Sequence, residues 1–288
     1  MAKKTSAGYE TYIATSAPVR RVVGAGAAAP AKSAYKIEVR FLGGLTTKQK
    51  NAFKAAADRW ARVIVGDLPS VRVDGEVIDD LLILAQGTSI DGPGGILGQA
   101  GPTHIRPAKA GKFKFLPVKG VMSFDSADLK AMEKDKTLED VITHEMGHVI
   151  GVGTIWERKK LLKDAGTNTV RFVGKNARKE FGKLKKSKAA DVPVENTGGP
   201  GTADGHWRES VFRNELMSGF IAAPKNPLSR LTVASLQDLG YVVDLSKAEP
   251  YKLPDLFAVA AAGATSTHDQ PHALPVIPMV LPDDSLIS

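Results

Sequence analysis

The chain has 288 residues, of which 43% are hydrophobic and 24% are charged, with no cysteine and a formal net charge of +8. This composition is typical of a globular protein with one large domain or two subdomains. The missing cysteines exclude disulfides, thiolate ligands and a thiol nucleophile, so any transition metal must be held by His, Asp or Glu. No apolar run approaches the 18 residues of a membrane-spanning helix, so no membrane span is expected.

The first 34 residues are rich in Ala, Gly, Ser and Lys and are predicted to form a flexible arm or leader. Their basic start has no apolar region behind it, which is not typical of a secretory signal peptide. A half-exposed strand is predicted next, because Ile37, Val39 and Phe41 alternate with charged residues.

A helix is predicted from Thr46 to Ile64, where Thr46 and Gln49 form a capping-box pattern. The short apolar run Leu81–Ala85 predicts a buried strand. Glycines and prolines then mark loops around a short strand near Ile96 and Leu97.

A further strand is predicted at Gly120–Asp125, followed by a helix from Thr137 to Ile150 in which Thr137 and Asp140 are a capping-box variant. The basic stretch from 152 to about 205 is irregular, apart from a helix over Asn176–Leu184. A final helix begins near Ser229 or Thr232 and ends at Gly240. Beyond about residue 250 a low-complexity tail is predicted.

The helix at 137–150 contains "HEMGH", with His144 and His148 four residues apart and Glu145 beside the first. Positions four apart lie on one face of a helix, so both imidazoles can reach one zinc ion. Glu145 would lie next to the metal, where it can take a proton from the zinc-bound water and pass it to a leaving amine. The motif taken alone also fits an ordinary buried helix that happens to contain histidine.

The residues that follow extend the motif. Gly151 suits a left-handed turn that ends the helix, so later residues can return to the metal. The pattern H-E-x-x-H-x-x-G resembles the start of the metzincin signature H-E-x-x-H-x-x-G-x-x-H, but residue 154 is Thr. Metzincins have a methionine-containing turn downstream of their third histidine. Met217 follows His206 by eleven residues, so His206 is the best candidate for the third ligand.

The segments "ITHEMGHVIGVGTIW", "PVENTGGPGTADGHW", "NELMSG" and "LSRLTVASLQDLGY" together resemble the leishmanolysin-type metzincins. In that family a long insertion after the helix glycine displaces the third histidine, and here 54 residues separate Gly151 from His206. The resemblance implies one catalytic Zn²⁺ held by His144, His148 and His206, with Glu145 as general base and acid. It also implies that Met217 forms an apolar floor under the metal.

The fold that the resemblance implies is α+β and metzincin-like. An N-terminal catalytic subdomain, 35–151, would contain a twisted mixed sheet and the zinc-binding helix. A mostly irregular or helical C-terminal subdomain, 152–250, would contain the third histidine and the Met-turn, and 251–288 would be a tail.

The predicted activity is a zinc-dependent endopeptidase acting on protein or peptide substrates. An extended peptide would pair with a sheet edge formed by Gly95, Ile96, Leu97 and Gly98, although the same glycines also fit a tight structural loop.

Two other functions remain open. The net charge fits a DNA-associated zinc protease. The basic run 156–188, however, is more typical of a solvated surface and lacks the interleaved aromatic residues that favour base stacking. Nucleic acid is therefore not expected as a partner. A non-catalytic virion or toxin module with a structural zinc is the second. The resemblance favours action outside the cell, whereas no signal peptide is visible, and the sequence does not define an oligomeric state.

Overall fold

The structure is a computed structural model that describes residues 8–16, 34–92, 94, 97–221, 225–255, 273–274 and 276–287. The helices are α1 (Thr47–Val63), α2 (Ser126–Asp135), α3 (Leu138–Ile150), α4 (Lys175–Leu184), α5 (Glu209–Phe212) and α6 (Arg230–Leu239). The strands are β1 (Glu10–Thr15), β2 (Lys36–Gly43), β3 (Val71–Val73), β4 (Glu76–Ile78), β5 (Leu81–Thr88), β6 (Gly98–Ile105), β7 (Pro117–Asp125), β8 (Leu162–Lys163), β9 (Arg171–Phe172), β10 (Val192–Pro193), β11 (Ala273–Leu274) and β12 (Met279–Val280). Within the described part of the chain, no helix is both long enough and apolar enough to cross a membrane.

One mixed sheet organises the first half of the molecule. Its strand order is β1-β2-β5-β7-β6-β11, and β12 also pairs with β6. Strands β2, β5 and β7 are parallel to one another, while β1 and β6 run antiparallel to their neighbours β2 and β7. This mixed sheet with packed helices agrees with the α+β class expected from the sequence.

Helices α1 and α3 cover one face of the sheet and pack against each other. Helix α1 begins as its sequence predicts, because the Thr46 side chain accepts from the Gln49 amide and the Gln49 side chain accepts from the Thr46 amide. Its buried face includes Phe53 and Trp60, and the Trp60 indole donates to the Thr143 carbonyl of α3 at 2.8 Å. The contact joins the two helices through a buried hydrogen bond and so fixes how α3 lies on the sheet.

Residues 152–250 have less regular structure. The strands β8, β9 and β10 form a small sheet, and α4 packs against α6. Helix α6 starts where Ser229 accepts from the Thr232 amide, and Gly240 ends it in a left-handed conformation, as the sequence predicts.

Several expectations differ from the structure. The predicted arm contains β1, which pairs along its whole length with β2, so residues 10–15 are part of the sheet. Helix α2 has no counterpart among the predicted elements. The capping-box variant at Thr137 is wrong, because Thr137 is already in a helical conformation and its side chain caps nothing.

The predicted tail also takes part in the fold where the structure describes it. Strands β11 and β12 lie beside β6, and Leu281 is buried against the face of the sheet opposite α1 and α3. The short strand predicted near Ile96 begins at Gly98, and Gly95 and Ile96 lie outside the described residues.

Candidate metal centre

Helix α3 brings two histidine rings together through its own geometry. His144 and His148 are one turn apart and both are buried. Their Nε2 atoms are 3.0 Å apart and their ring centroids 4.7 Å. The predicted pairing of these two imidazoles on one helix face is therefore present.

A third ring arrives from a distant part of the chain. The Nε2 atom of His206 lies 3.1 Å from that of His144 and 3.0 Å from that of His148. The return depends on close backbone packing: Gly151 ends α3, and a β-carbon on Gly153 would overlap the carbonyl oxygen of Gly205, directly before His206. Only glycine fits this approach, because the two backbones touch.

Each ring is oriented by a backbone carbonyl on its other side. The Nδ1 atom of His144 lies 2.7 Å from the Leu216 carbonyl oxygen, and those of His148 and His206 lie 2.9 Å from the carbonyls of Val152 and Thr202. A carbonyl only accepts, so we assign the proton to Nδ1 in all three neutral rings. Each Nε2 then presents a lone pair to the centre of the cluster.

This arrangement fits a metal ion. Zinc with nitrogen ligands at about 2.0–2.1 Å and tetrahedral angles separates those nitrogens by about 3.3 Å, close to the spacing of the three Nε2 atoms. Three lone pairs facing one another repel unless a cation lies between them. The carbonyl partners provide the outer hydrogen bonds that metal-binding histidines need. The three histidines could therefore hold zinc.

Glu145 lies beside the cluster without taking part in it. Its side chain is buried, and its Oε2 atom has no hydrogen-bond partner within the described ranges. Burial raises the pKa of Glu145 to about 8. It lines a cavity of 310 Å³ together with His148, His206 and Ala100 of β6. The cavity leaves space for a reacting group next to both the rings and the carboxylate.

Met217 packs directly against the helix that carries the first two rings. A β-carbon on Gly147 would lie 2.7 Å from the Met217 sulfur and 2.8 Å from a Trp60 ring carbon. Gly147, between the two histidines in sequence, therefore makes room for the methionine. The preceding residue, Leu216, supplies the carbonyl that orients His144.

A buried carboxylate that the sequence analysis missed holds the Met217 loop. Glu215 is fully buried and accepts from the Met217 amide at 2.6 Å. It also accepts from the Ser229 and Thr232 hydroxyls, both at 2.6 Å. These bonds tie the loop to the start of α6. The sequence gives no signal for this role of Glu215, because what distinguishes it from other glutamates is its burial, and burial is not visible in the sequence.

Asp140, which the sequence analysis assigned to a local cap, instead has partners that are remote in sequence. It accepts from the Arg59 guanidinium at 3.0 Å, from the Lys225 amide at 2.9 Å and from the Asn226 amide at 3.0 Å. Burial raises the pKa of Asp140, but the bonds from Asn226, Lys225 and Arg59 outweigh it and lower the pKa below its ordinary value. Asp140 thus anchors the first turn of α3 to α1 and to residues 225–226.

The predicted substrate edge is described only in part. Leu97 is buried and Gly98 begins β6, whereas Gly95 and Ile96 are not described. The strand has β7 on one side and β11 and β12 on the other. A segment of the chain itself therefore lies along the strand at which the sequence analysis places a substrate peptide.

Together, the mixed sheet and the three converging rings define a candidate metalloprotein of the α+β class. The Peptidase_M8 (leishmanolysin) family model matches residues 112–255, which is half of the chain and includes the three histidines and Met217. The chain belongs to the leishmanolysin family.

Individual relatives agree with the family match. The chain is 33% identical to leishmanolysin of Leishmania major and 32% identical to that of Leishmania chagasi, each over 146 residues. It is 30% identical over 145 residues to leishmanolysin of Leishmania donovani. These alignments cover 46% of this chain and 23–24% of the relatives, so the chain spans about a quarter of their length.

Proposed function

We propose that the protein is a zinc-dependent endopeptidase of the metzincin type in which His144, His148 and His206 hold the ion. Membership of the leishmanolysin family supports a metallopeptidase. The observation that carries the proposal is the convergence of three buried Nε2 atoms to within 3.1 Å of one another.

When bound, zinc would supply a Lewis acid that polarises a peptide carbonyl and makes water a stronger acid. The residues of the chain would transfer the proton and position the reacting groups. Glu145 would accept the proton of the attacking water and return it to the leaving amine, which its position on the cavity wall supports. Its buried surroundings would keep bulk water away from that proton transfer.

The surrounding residues would keep the rings in place during turnover. The carbonyls of Leu216, Val152 and Thr202 would hold the three imidazoles in one tautomer and one orientation. Met217 would form an apolar floor beneath the helix, a role supported by its contact with Gly147. The substrate would be a protein or peptide bound in extended form beside β6.

A catalytic site explains the geometry better than a structural one. Structural zinc sites are closed by four protein ligands, whereas catalytic sites keep one position open. Here two of the three imidazoles, those of His148 and His206, line a cavity of 310 Å³ that the Glu145 carboxylate also lines. The comparisons favour neither the DNA-associated protease nor the non-catalytic module.

The proposal is tested with Glu145→Gln, which has nearly the same shape but cannot accept a proton. The zinc-loaded variant should keep one equivalent of metal and lose at least 10²–10⁴-fold in the kcat/KM of casein peptide hydrolysis. Metal content is measured by atomic emission and activity by a fluorescent reporter. The matched control is Glu139→Gln on the first turn of the same helix, whose side chain is exposed.

The control should retain the activity of the parent protein. Hydrolysis that persists in Glu145→Gln, or a parent protein that binds zinc but cleaves nothing, would contradict the proposed function.

A further inference from the structure

Residues 273–274 and 276–280 run along β6. Ala273 and Leu274 pair with Gly98 and Gln99, in parallel. Six residues further on, Met279 and Val280 pair with His104 and Ile105 in the same register. The two short ladders therefore share one register and meet β6 at its first two and its last two residues.

This segment is anchored at its far end. Leu281 donates its amide to the Ile105 carbonyl at 3.0 Å and is buried in a cluster with Val71 and Val118. Further on, the Ile287 amide donates to the Ser70 carbonyl at 3.0 Å. Residues 281–287 thus belong to the folded body on the side of the sheet away from the metal centre.

The near end of the segment lies beside the candidate active site. Gly98 and Gln99, its partners on β6, directly precede Ala100, which lines the cavity with Glu145. A β-carbon on Gly101 would lie 3.0 Å from the Val276 side chain, so Val276 covers that glycine.

The edge of a strand can form only one ladder at a time. Its outward N–H and C=O groups are the groups that an extended peptide uses when it adds a strand to a sheet. A peptide that reaches the three histidines beside Ala100 would need the same groups of Gly98 and Gln99 that β11 now holds.

We propose that the chain's own residues 273–274 and 276–280 occupy the edge of β6 over Gly98–Gly101, beside which the proposed function already places the peptide substrate, and that they lower activity until they are displaced. This inference rests on the proposed peptidase function. The small side chains at Gly98, Ala100 and Gly101 allow the close backbone approach that a paired peptide requires.

The segment binds β6 weakly enough for a substrate peptide to compete with it. Ile277 is 90% exposed and Met279 is 56% exposed, so this part of the segment buries little apolar surface. Its advantage is its tether to the folded body at Leu281, which gives an effective concentration on the order of millimolar. A short strand that binds with a dissociation constant of about 0.1 mM would then reduce activity on the order of tenfold.

The test compares Val276→Asp with Ile277→Asp in the zinc-loaded full chain. The two variants place the same charge at adjacent positions, one facing Gly101 and one facing solvent. We expect kcat/KM on an internally quenched peptide to rise about tenfold for Val276→Asp and to change less than twofold for Ile277→Asp. A chain ended after residue 272 should be at least as active as Val276→Asp, and a synthetic 273–287 peptide should inhibit it competitively.

Hydrogen exchange gives a readout that does not depend on activity. The amides of Gly98–Gly101 should exchange faster in Val276→Asp than in Ile277→Asp, while those of α3 stay unchanged. Equal activity of the parent chain, Val276→Asp and the shortened chain would overturn the inference while leaving the peptidase function intact. If no variant cleaves the reporter although zinc is bound, the proposed function itself is wrong and the inference falls with it.

Discussion

The two parts of the molecule that meet at the metal centre are built by different means. Helix α3 supplies His144 and His148 through regular spacing, so their pairing follows from the helix alone. The region 152–217 supplies His206 through turns, short strands and close packing. One half of the site is therefore encoded locally, and the other depends on tertiary contacts.

The second region compensates for its lack of regular structure with a buried aromatic cluster. The Trp156 and Trp207 rings are 4.6 Å apart between centroids, and Phe172 lies 5.0 Å from Trp156 and 5.4 Å from Trp207. Trp207 directly follows His206, and its amide donates to the Met217 carbonyl at 2.9 Å. Aromatic packing thus performs for the third imidazole what helix geometry performs for the first two.

The largest effect, a loss of zinc affinity, should come from removing one histidine ligand from either α3 or the region 152–217. A four-ligand zinc site is worth roughly 10–16 kcal/mol, so one ligand is worth roughly 3–4 kcal/mol, or about 10²–10³-fold in zinc affinity. We expect His148→Ala and His206→Ala to lose comparable affinity in competition titrations with a chromogenic chelator. Glu145→Gln, which removes no ligand, is the control and should bind zinc as the parent protein does.

The same variants reveal whether the metal joins the two regions. Folding brings the three histidines together, so zinc should bind the folded state more tightly than the unfolded state and raise the Tm of the parent and of Glu145→Gln, and chelation should reverse the rise. His206→Ala should lose most of this zinc-dependent rise. Parent-like zinc affinity in His206→Ala would exclude this residue as a ligand.

An intermediate effect is expected where the two regions touch. In Gly153→Ala the new methyl group would overlap the Gly205 carbonyl, whereas Gly166→Ala meets nothing within 4 Å. Both glycines have positive φ, so both substitutions carry the same left-handed strain of about 1 kcal/mol. The extra loss in Gly153→Ala should be about 1–3 kcal/mol of unfolding free energy, with weaker zinc binding.

Urea unfolding of the two metal-free variants measures this difference. If Gly153→Ala and Gly166→Ala proved equally stable and equally able to bind zinc, the backbone contact at Gly205 would not be what positions His206.

The smallest effect should come from Asp140, which ties α3 to residues 225–226. Its pKa is lowered in the folded state, so its charged form stabilises the protein above its ordinary pKa of about 4. This contribution is lost as pH falls from about 4 through the lower folded pKa. Asp140→Asn should therefore cost about 1–2 kcal/mol at pH 7 and progressively less below pH 4.

Urea unfolding of Asp140→Asn at pH 7 and at pH 3, with Glu139→Gln as the neighbouring control, tests this prediction. A stability loss that is the same at both pH values would mean that the charge of Asp140 does not carry its effect.

Local patterns in the sequence predicted local structure well. The capping box of Thr46 and Gln49, the Ser229 cap and the Gly240 stop involve residues within a few positions of one another, and each is present. The variant at Thr137 failed because Asp140 has partners that are remote in sequence, Arg59 among them. Tertiary hydrogen bonds replaced the local cap.

Elements with remote partners escaped the sequence analysis. Strand β1 was missed because it lies in a segment of arm-like composition and is defined by its pairing with β2. The pairing of β11 and β12 with β6 joins residues that are far apart in the chain, and the local sequence patterns of these strands do not predict it. The role of Glu215 depends on hydroxyls of α6, which the sequence does not place near it.

The sequence by itself determined that two imidazoles and a carboxylate share one helix, because the period of an α-helix follows from backbone geometry alone. Its resemblance to the leishmanolysins indicated His206 as the third ligand. Only the tertiary structure decided that the Nε2 atom of His206 lies within 3.1 Å of those of His144 and His148. It also decided that β11 and β12 pair with β6. Such contacts depend on burial and backbone packing between distant residues, and these arise only when the whole chain is folded.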